Sequence, residues 1–309
     1  MKILFDVLTP KQARMAAAVW KRFSGKYELL ITSRYYAETN DILTYYGAPF
    51  ASYGNLHEET KQKLLERTRR QQFLTENYDS VDVVVTQASI AAVSMGVGLG
   101  KPVIVLIDIP KRKYLSRQII PTATYHLREE LTRGAWDYEP DVAIYMDSTQ
   151  EHFYTKPVKR KNPDLIVYRN FEHQAAYAKG QVPPDIQKEL RKICSDHGFD
   201  LLELERYQEH EFVPPEQLFE RAQLVITGGS SMAVEAAIQQ IPAISFYPEY
   251  FPKFEYLIDL GYPLARVHNI EGLEAVIDRI MNQEPTHHEF KDNPLDKLAE
   301  IFKEIADRL

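Results

Sequence analysis

Residues Gln223–Phe246 read QLVITGGSSMAVEAAIQQIPAISF, and this stretch decides the fold. Leu224–Thr227 is an apolar β run. Gly228 and Gly229 follow as turn residues that also permit close approach of backbone to a ligand. Ser230 and Ser231 suit the N-cap of a helix. That helix carries Ala233, Ala236, Ala237 and Ile238 for packing, and one carboxylate, Glu235. Pro242 leads into a second buried strand, Ala243–Phe246. Strand, glycine turn, helix and strand form the unit from which parallel α/β sheets are built.

A glycine loop feeding a helix N-terminus presents backbone N–H groups and the positive end of the helix dipole, which suits a phosphate. The plainer reading is a strand-to-helix turn with no ligand. Glu235 separates the two. A capping box places its Glu three residues after a Ser or Thr cap, and the residue three before Glu235 is Met232. Glu235 instead shares a helix face with Ser231, where it can accept hydrogen bonds from two neighbouring hydroxyls. Diphosphate at the loop and ribose diol at the carboxylate would make a nucleotide diphosphate lying across a helix start.

Outward from this stretch, strand and helix patterns alternate along the chain. Lys2–Val7, Glu28–Ser33, Phe50–Tyr53, Asp82–Thr86, Pro102–Asp108 and Asp141–Met146 read as strands. Lys11–Ser24, Tyr36–Tyr46, Glu58–Tyr78 and Ser89–Gly100 read as helices between them. His126, in TATYHLREEL, reads as helical and solvent-facing. Asp147–Asp164 contains Pro157, Pro163 and four basic residues, and reads as a linker. Beyond it, Leu165–Tyr168, Pro184–His197, Asp200–Glu205, Glu216–Arg221 and the opening stretch form a second α/β pattern. Phe254–Leu260, Ile270–Asn282 and Pro294–Leu309 follow as helices. The expected domains are residues 1–150, 164–293, and a helix at 294–309 crossing back to the first.

In such sheets ligands lie outside the carboxyl ends of the strands. That rule selects Asp6 and Thr9 after the first strand, Gln87 and Ser89 after the fourth, and Asp108 after the next. It selects Arg169 in the second half, whose guanidinium matches phosphate geometry, and Glu249 after Ala243–Phe246. Asp6 and Asp108 are equally placed as acid–base groups and as carboxylates bonded to loops. Ser89 reads first as an N-cap. Lys111, Arg112, Lys113 and Arg117 form a basic cluster that can steer an anion or simply face solvent.

Composition sets the remaining bounds. The 309 residues suffice for two cores, and the net charge of −7 gives no global attraction to nucleic acid. The lone cysteine, Cys194, excludes an internal disulfide and a cysteine-rich metal site, and points to a reducing cytoplasm. No run approaches transmembrane length.

Two α/β domains with a glycine-loop and glutamate helix in the second resemble the GT-B architecture. That architecture implies two Rossmann-like doubly wound domains, a cleft between them and a C-terminal helix packing back on the first. Val225–Glu249 resembles the G-G-T-M-x-x-E-A-A-x-x-G-x-P-A-I-S segment of the domain of unknown function 354 family. That family groups with GT-B glycosyltransferases and UDP-N-acetylglucosamine 2-epimerases. Met1–Met15 and Tyr168–Gly180 resemble two further segments of it.

The resemblance implies that Gly228, Gly229, Ser230 and Ser231 hold a diphosphate and Glu235 the ribose hydroxyls. It implies no tightly bound cofactor and no metal, a nucleotide-diphosphate sugar as co-substrate with a UDP-sugar first, and leaves a homo-oligomer open. The chain departs from the family at Gln12, where His is usual, and at Gln240, where Gly is usual. The glycine-rich loop that many GT-B transferases carry after their first strand is Leu8-Thr9-Pro10 here. The leading expectation is a metal-independent glycosyltransferase with Asp6 or Asp108 as base. An epimerase or hydrolase on the same scaffold, and a non-catalytic nucleotide-sugar-binding protein, stand beside it.

Overall fold

The computed structural model describes residues 1–110, 113–171, 185–204, 212–248 and 250–309. The chain divides into two compact units, one of Met1–Tyr154 with Phe290–Leu309 and one of Thr155–Glu289.

The first unit opens with β1 (Lys2–Asp6), α1 (Pro10–Phe23), β2 (Glu28–Tyr35), α2 (Thr39–Tyr45), β3 (Ala51–Asn55) and α3 (Thr60–Tyr78). It continues with β4 (Val83–Thr86), α4 (Ile90–Gly98), β5 (Val103–Val105), α5 (Lys113–Ile119), β6 (Tyr125–Glu129) and β7 (Val142–Met146). The strands form one sheet in the order β3-β2-β1-β4-β5-β6-β7, and every pairing is parallel. Ile3, Leu4, Phe5, Val83, Val84 and Val85 are all buried, because helices on both faces leave a central parallel strand no wet side. The strand order reverses between β1 and β4, the kind of switch point outside whose carboxyl ends ligands lie in such sheets.

The second unit holds β8 (Leu165–Arg169), α6 (Ile186–His197), β9 (Asp200–Leu204), α7 (Pro215–Arg221), β10 (Ala222–Thr227) and α8 (Ser231–Ala237). It ends with β11 (Ala243–Ser245), α9 (Pro252–Asp259), β12 (Leu264–Arg266) and α10 (Leu273–Met281). Its sheet order is β12-β11-β10-β8-β9, again all parallel. Here the order reverses between β8 and β10, which brings Arg169 beside the glycine loop.

The last helix, α11 (Pro294–Ala306), belongs to the first unit. Asn293 caps it by accepting a hydrogen bond from Leu295 N at 2.9 Å, and Pro294 occupies its first turn. Leu298, Ile301, Phe302 and Ile305 are buried along one stripe. Phe302 meets Phe23 and Tyr27 edge-on, at 5.4 and 5.7 Å between ring centres. A helix of 13 residues is marginal alone. Burying four large side chains at about 1.5–3 kcal/mol each holds it in place.

One sequence expectation is corrected, and one strand escapes it. TATYHLREEL is not an exposed helix. Its centre is β6, inserted between β5 and β7, and His126 is buried. The strand escapes a hydrophobic reading because His126, Arg128 and Glu129 are buried polar residues that find partners in tertiary structure. The short strand β12 was also hidden, being three residues between a glycine turn and a loop.

Candidate functional site

In the second unit, Thr227 stands in register opposite Arg169, and Gly228 N donates to Arg169 O at 3.3 Å. The loop is braced from within. Gly229 N donates to Thr227 Oγ1 at 3.0 Å, and Ser245 Oγ donates to Gly229 O at 2.8 Å. Tyr247 N in turn donates to Ser245 Oγ at 3.1 Å. Strands β10 and β11 therefore lock the glycine turn before α8 begins.

Gly228 is glycine for a reason the motif did not reveal. A Cβ there would stand 2.6 Å from the Phe171 ring and 2.8 Å from Phe171 Cα. The position serves close packing of the β8 end against the loop. Ser230 sits at the cap position of α8 but makes no side-chain capping hydrogen bond, which corrects its expected role. Ser230 and Ser231 are half-buried, whereas Glu235 is 4% exposed, on a helix whose other residues beyond Ser231 are Met, Val and Ala. The first-turn amides of any helix lack intrahelical acceptors, so this end of α8 is electropositive beside Arg169. Gln240, where the resembled family has Gly, adopts a left-handed φ of 60°. Its Oε1 accepts from Thr286 N at 3.2 Å, an anchor that glycine cannot supply.

In the first unit the carboxyl ends of β1, β4 and β5 gather the other expected residues. Asp6 is wholly buried. It accepts from Arg70 Nε at 3.2 Å, from Arg70 Nη2, and from Thr32 Oγ1 at 2.6 Å. The loop after β1 is held on both sides: Leu8 N donates to Gln12 Oε1 at 2.6 Å, and Arg34 Nε donates to Leu8 O at 2.8 Å. Burial, then the neighbouring Arg70, lowers the Arg34 pKa to about 10. Thr9 caps α1 by position and forms no side-chain cap bond. Ser89 is a working cap, accepting from Ala92 N at 3.2 Å.

Asp108, nearly buried, meets Lys11 Nζ at 2.6 Å, and the same ammonium meets Glu151 Oε1 at 2.8 Å. Gln87 Nε2 donates to Gln150 Oε1 at 2.6 Å, and Gln150 N donates to Glu129 Oε1 at 2.7 Å. Lys11, Arg34, Arg70 and Glu151 were not singled out in the sequence. The strand-end rule reaches Lys11, five residues past Asp6. Arg70 lies in the middle of a charged helix, and nothing local marks it. Glu249, Lys111 and Arg112 lie outside the described residues, as does the part of Tyr168–Gly180 beyond Phe171. Among the described residues there is no group of three or more His, Cys, Asp or Glu able to hold a metal ion. No helix among them is long and apolar enough to cross a membrane.

The fold, two units each built on a parallel α/β sheet, is similar to that of solved UDP-GlcNAc 2-epimerases and of a glycosyltransferase. A UDP-GlcNAc 2-epimerase from Methanocaldococcus jannaschii, solved with UDP-GlcNAc and UDP, matches with TM-score 0.73 at 14% identity, over 98% of this chain and 100% of its own. The Neisseria meningitidis UDP-GlcNAc 2-epimerase bound to UDP-GlcNAc matches with TM-score 0.70 at 12% identity, over 100% of both chains. The spinosyn forosaminyltransferase SpnP matches with TM-score 0.58 at 14% identity, over 99% of both. At these identities the likeness is one of fold. No protein-family profile and no curated protein sequence matches the chain, so the resemblance to the domain of unknown function 354 family rests on the quoted segments alone.

Proposed function

We propose that the chain binds a nucleotide-diphosphate sugar through its second unit and acts as a metal-independent glycosyltransferase, a UDP-sugar being the first co-substrate to test. One observation carries the reading: the strand-order reversal between β8 and β10 sets Arg169 in register with Thr227, which opens the glycine loop, and the loop's last residue, Ser231, stands one turn before the buried Glu235. The diphosphate rests on Gly228–Ser231 and the start of α8, with Arg169 countering the charge that develops on the leaving group. Gly229 N–H is spent on Thr227, so the amides beyond it do this work. Glu235 accepts from the two ribose hydroxyls. The UDP and UDP-GlcNAc in the similar epimerases support this ligand class.

Proton transfer is assigned to Asp108 rather than Asp6. Asp6 is locked to Arg70 and Thr32 out of reach of solvent. Asp108 keeps a small exposed surface and a lysine partner that keeps its charge balanced. Thr9, Ser89 and Glu249 remain substrate contacts in this reading, and Gln12 shapes the loop after β1 through its bond to Leu8 N. A thermal-shift screen against UDP-, GDP-, CDP- and dTDP-sugars and free nucleotides tests it. At ligand concentrations of about 100 Kd the stabilisation is about 2.7 kcal/mol. No shift with any of them overturns the proposal.

Epimerase or hydrolase chemistry is the second reading, favoured by Lys11 lying between two carboxylates, Asp108 and Glu151. An ammonium with two acids can give and take protons on one substrate without an acceptor. Incubation with UDP-GlcNAc alone separates the readings. An isomer or free UDP supports this one, and unchanged donor that reacts only when an acceptor is added supports transfer.

A further inference from the structure

We propose that His126 is a positioning residue that holds the Ile107–Asp108 segment, and with it the Asp108 carboxylate, at the carboxyl edge of the first sheet. The inference rests on the reading of Asp108 as the proton-transfer group.

Backbone pairing between β5 and β6 joins Ile104 to Tyr125 and Val105 to His126, and goes no further. On the β4 side, Leu106 N still donates to Thr86 O at 2.9 Å. Ile107 and Asp108 lie beyond both ladders. The His126 side chain takes over from the backbone there, with Nε2 3.0 Å from Ile107 O. Arg128 determines which nitrogen carries the proton. Its Nε donates to His126 Nδ1 at 2.9 Å, and a guanidinium has no acceptor. Nδ1 is therefore bare, and Nε2–H donates to Ile107.

Arg128 is itself immobilised. It donates to Glu139 Oε2 at 2.7 Å, Tyr145 Oη at 3.0 Å and Tyr138 O at 2.9 Å, and lies over the Trp136 ring at 4.7 Å. Trp136 also meets the imidazole edge-on, 4.6 Å between centres. The charged groups facing His126 are Arg128 from its own strand and Asp108 from beyond β5. Burial, then Arg128, lowers its pKa to about 3, so the ring keeps one neutral form at ordinary pH. One residue past Ile107, Asp108 reaches Lys11. The segment is thus located by β6 from one side and by α1 from the other. An apolar residue at position 126 would pack against Trp136 equally well but would leave Ile107 O and Arg128 Nε without their partner.

The test has an arm that needs no substrate. In wild-type protein, ¹⁵N NMR of His126 is expected to show the Nε2–H form, and an Nδ1–H form overturns the proposal. A Lys11→Met/Asp108→Asn double-mutant cycle in urea unfolding then reads the Lys11–Asp108 coupling in three backgrounds. It is expected to be present in wild type, retained in His126→Gln, which keeps an N–H donor, and lost in His126→Leu. Full coupling in His126→Leu overturns the proposal. Should His126→Leu fail to fold, slow exchange of the Asp108 amide in His126→Gln and fast exchange in His126→Asn, too short to reach Ile107, decides the matter, and equal exchange overturns it. If wild type turns over UDP-GlcNAc, His126→Leu should lower kcat on the order of 10²-fold with UDP affinity unchanged. Equal loss of both overturns positioning. Wild type that neither binds nor turns over UDP-GlcNAc is a failure of the functional reading alone, because the coupling and tautomer still stand or fall by themselves.

Discussion

Gly228 lies directly against the backbone of Phe171: a Cβ on the glycine would approach Phe171 Cα to 2.8 Å. A backbone atom cannot swing aside as a side-chain tip can. Gly228→Ala is therefore expected to push β8 and the glycine loop apart and to destabilise the protein by about 1–3 kcal/mol. Phe171→Leu in the same chain should not restore it, since the clash with the main chain at position 171 remains. An unchanged urea midpoint for Gly228→Ala would show that the loop has room that this packing denies.

Asp6 and Arg70 form a buried ion pair in which Thr32 satisfies a further lone pair. Removing one charge leaves the other stranded, so Asp6→Asn and Arg70→Met should each lose about 3–5 kcal/mol. Activity, measured below the unfolding transition, should survive in whatever fraction of Asp6→Asn remains folded. Loss of turnover in a fully folded Asp6→Asn would return that carboxylate to the catalytic role assigned here to Asp108.

His126 makes stability depend on mild acid. Its folded pKa of about 3 lies below the ordinary value of 6.5. Below 6.5 the unfolded chain takes up a proton that the folded protein refuses. The contribution is complete above the unfolded value and falls away as pH drops toward 3, by up to about 1.4 kcal/mol per pH unit. Urea unfolding at about pH 7 and about pH 5, above most carboxylate titrations, should show this slope, and His126→Gln should flatten it. Equal slopes in the two proteins would mean that the imidazole is free to charge in place.

Glu235 is the sharpest probe of the second unit. A charged hydrogen bond contributes about 1.5–3 kcal/mol, so Glu235→Ala should weaken UDP binding by about tenfold or more in isothermal titration while circular dichroism stays unchanged. Undiminished affinity would reduce Gln223–Phe246 to a structural turn.

The residues made some of this legible and hid the rest for physical reasons. Apolar runs such as Val83–Val85 and Leu224–Ile226 announce buried parallel strands because neither face meets water. The Pro294–Ala306 stripe likewise announces its packing face. Periodicity is a local property, and so is the spacing of Glu235 from Ser231. The strand-end rule selects Asp108 and Arg169 as candidates because carboxyl ends can be read along the chain. Which of them acquires which partner cannot be read so. Asp6 and Arg70 are 64 residues apart, and only the fold shows that they neutralise each other.

The sequence alone determined that this protein is built from two parallel α/β patterns, and it put the expected ligand site between Thr227 and Glu235. Tertiary structure alone decided that Gly228 is small for Phe171, that Asp6 is locked away while Asp108 shares a lysine with Glu151, and that His126 sits in a strand. The division follows from range. Hydrogen-bonding period and helix capping act over a few residues, whereas desolvation and ion pairing depend on groups that meet only after the sheet has closed around them.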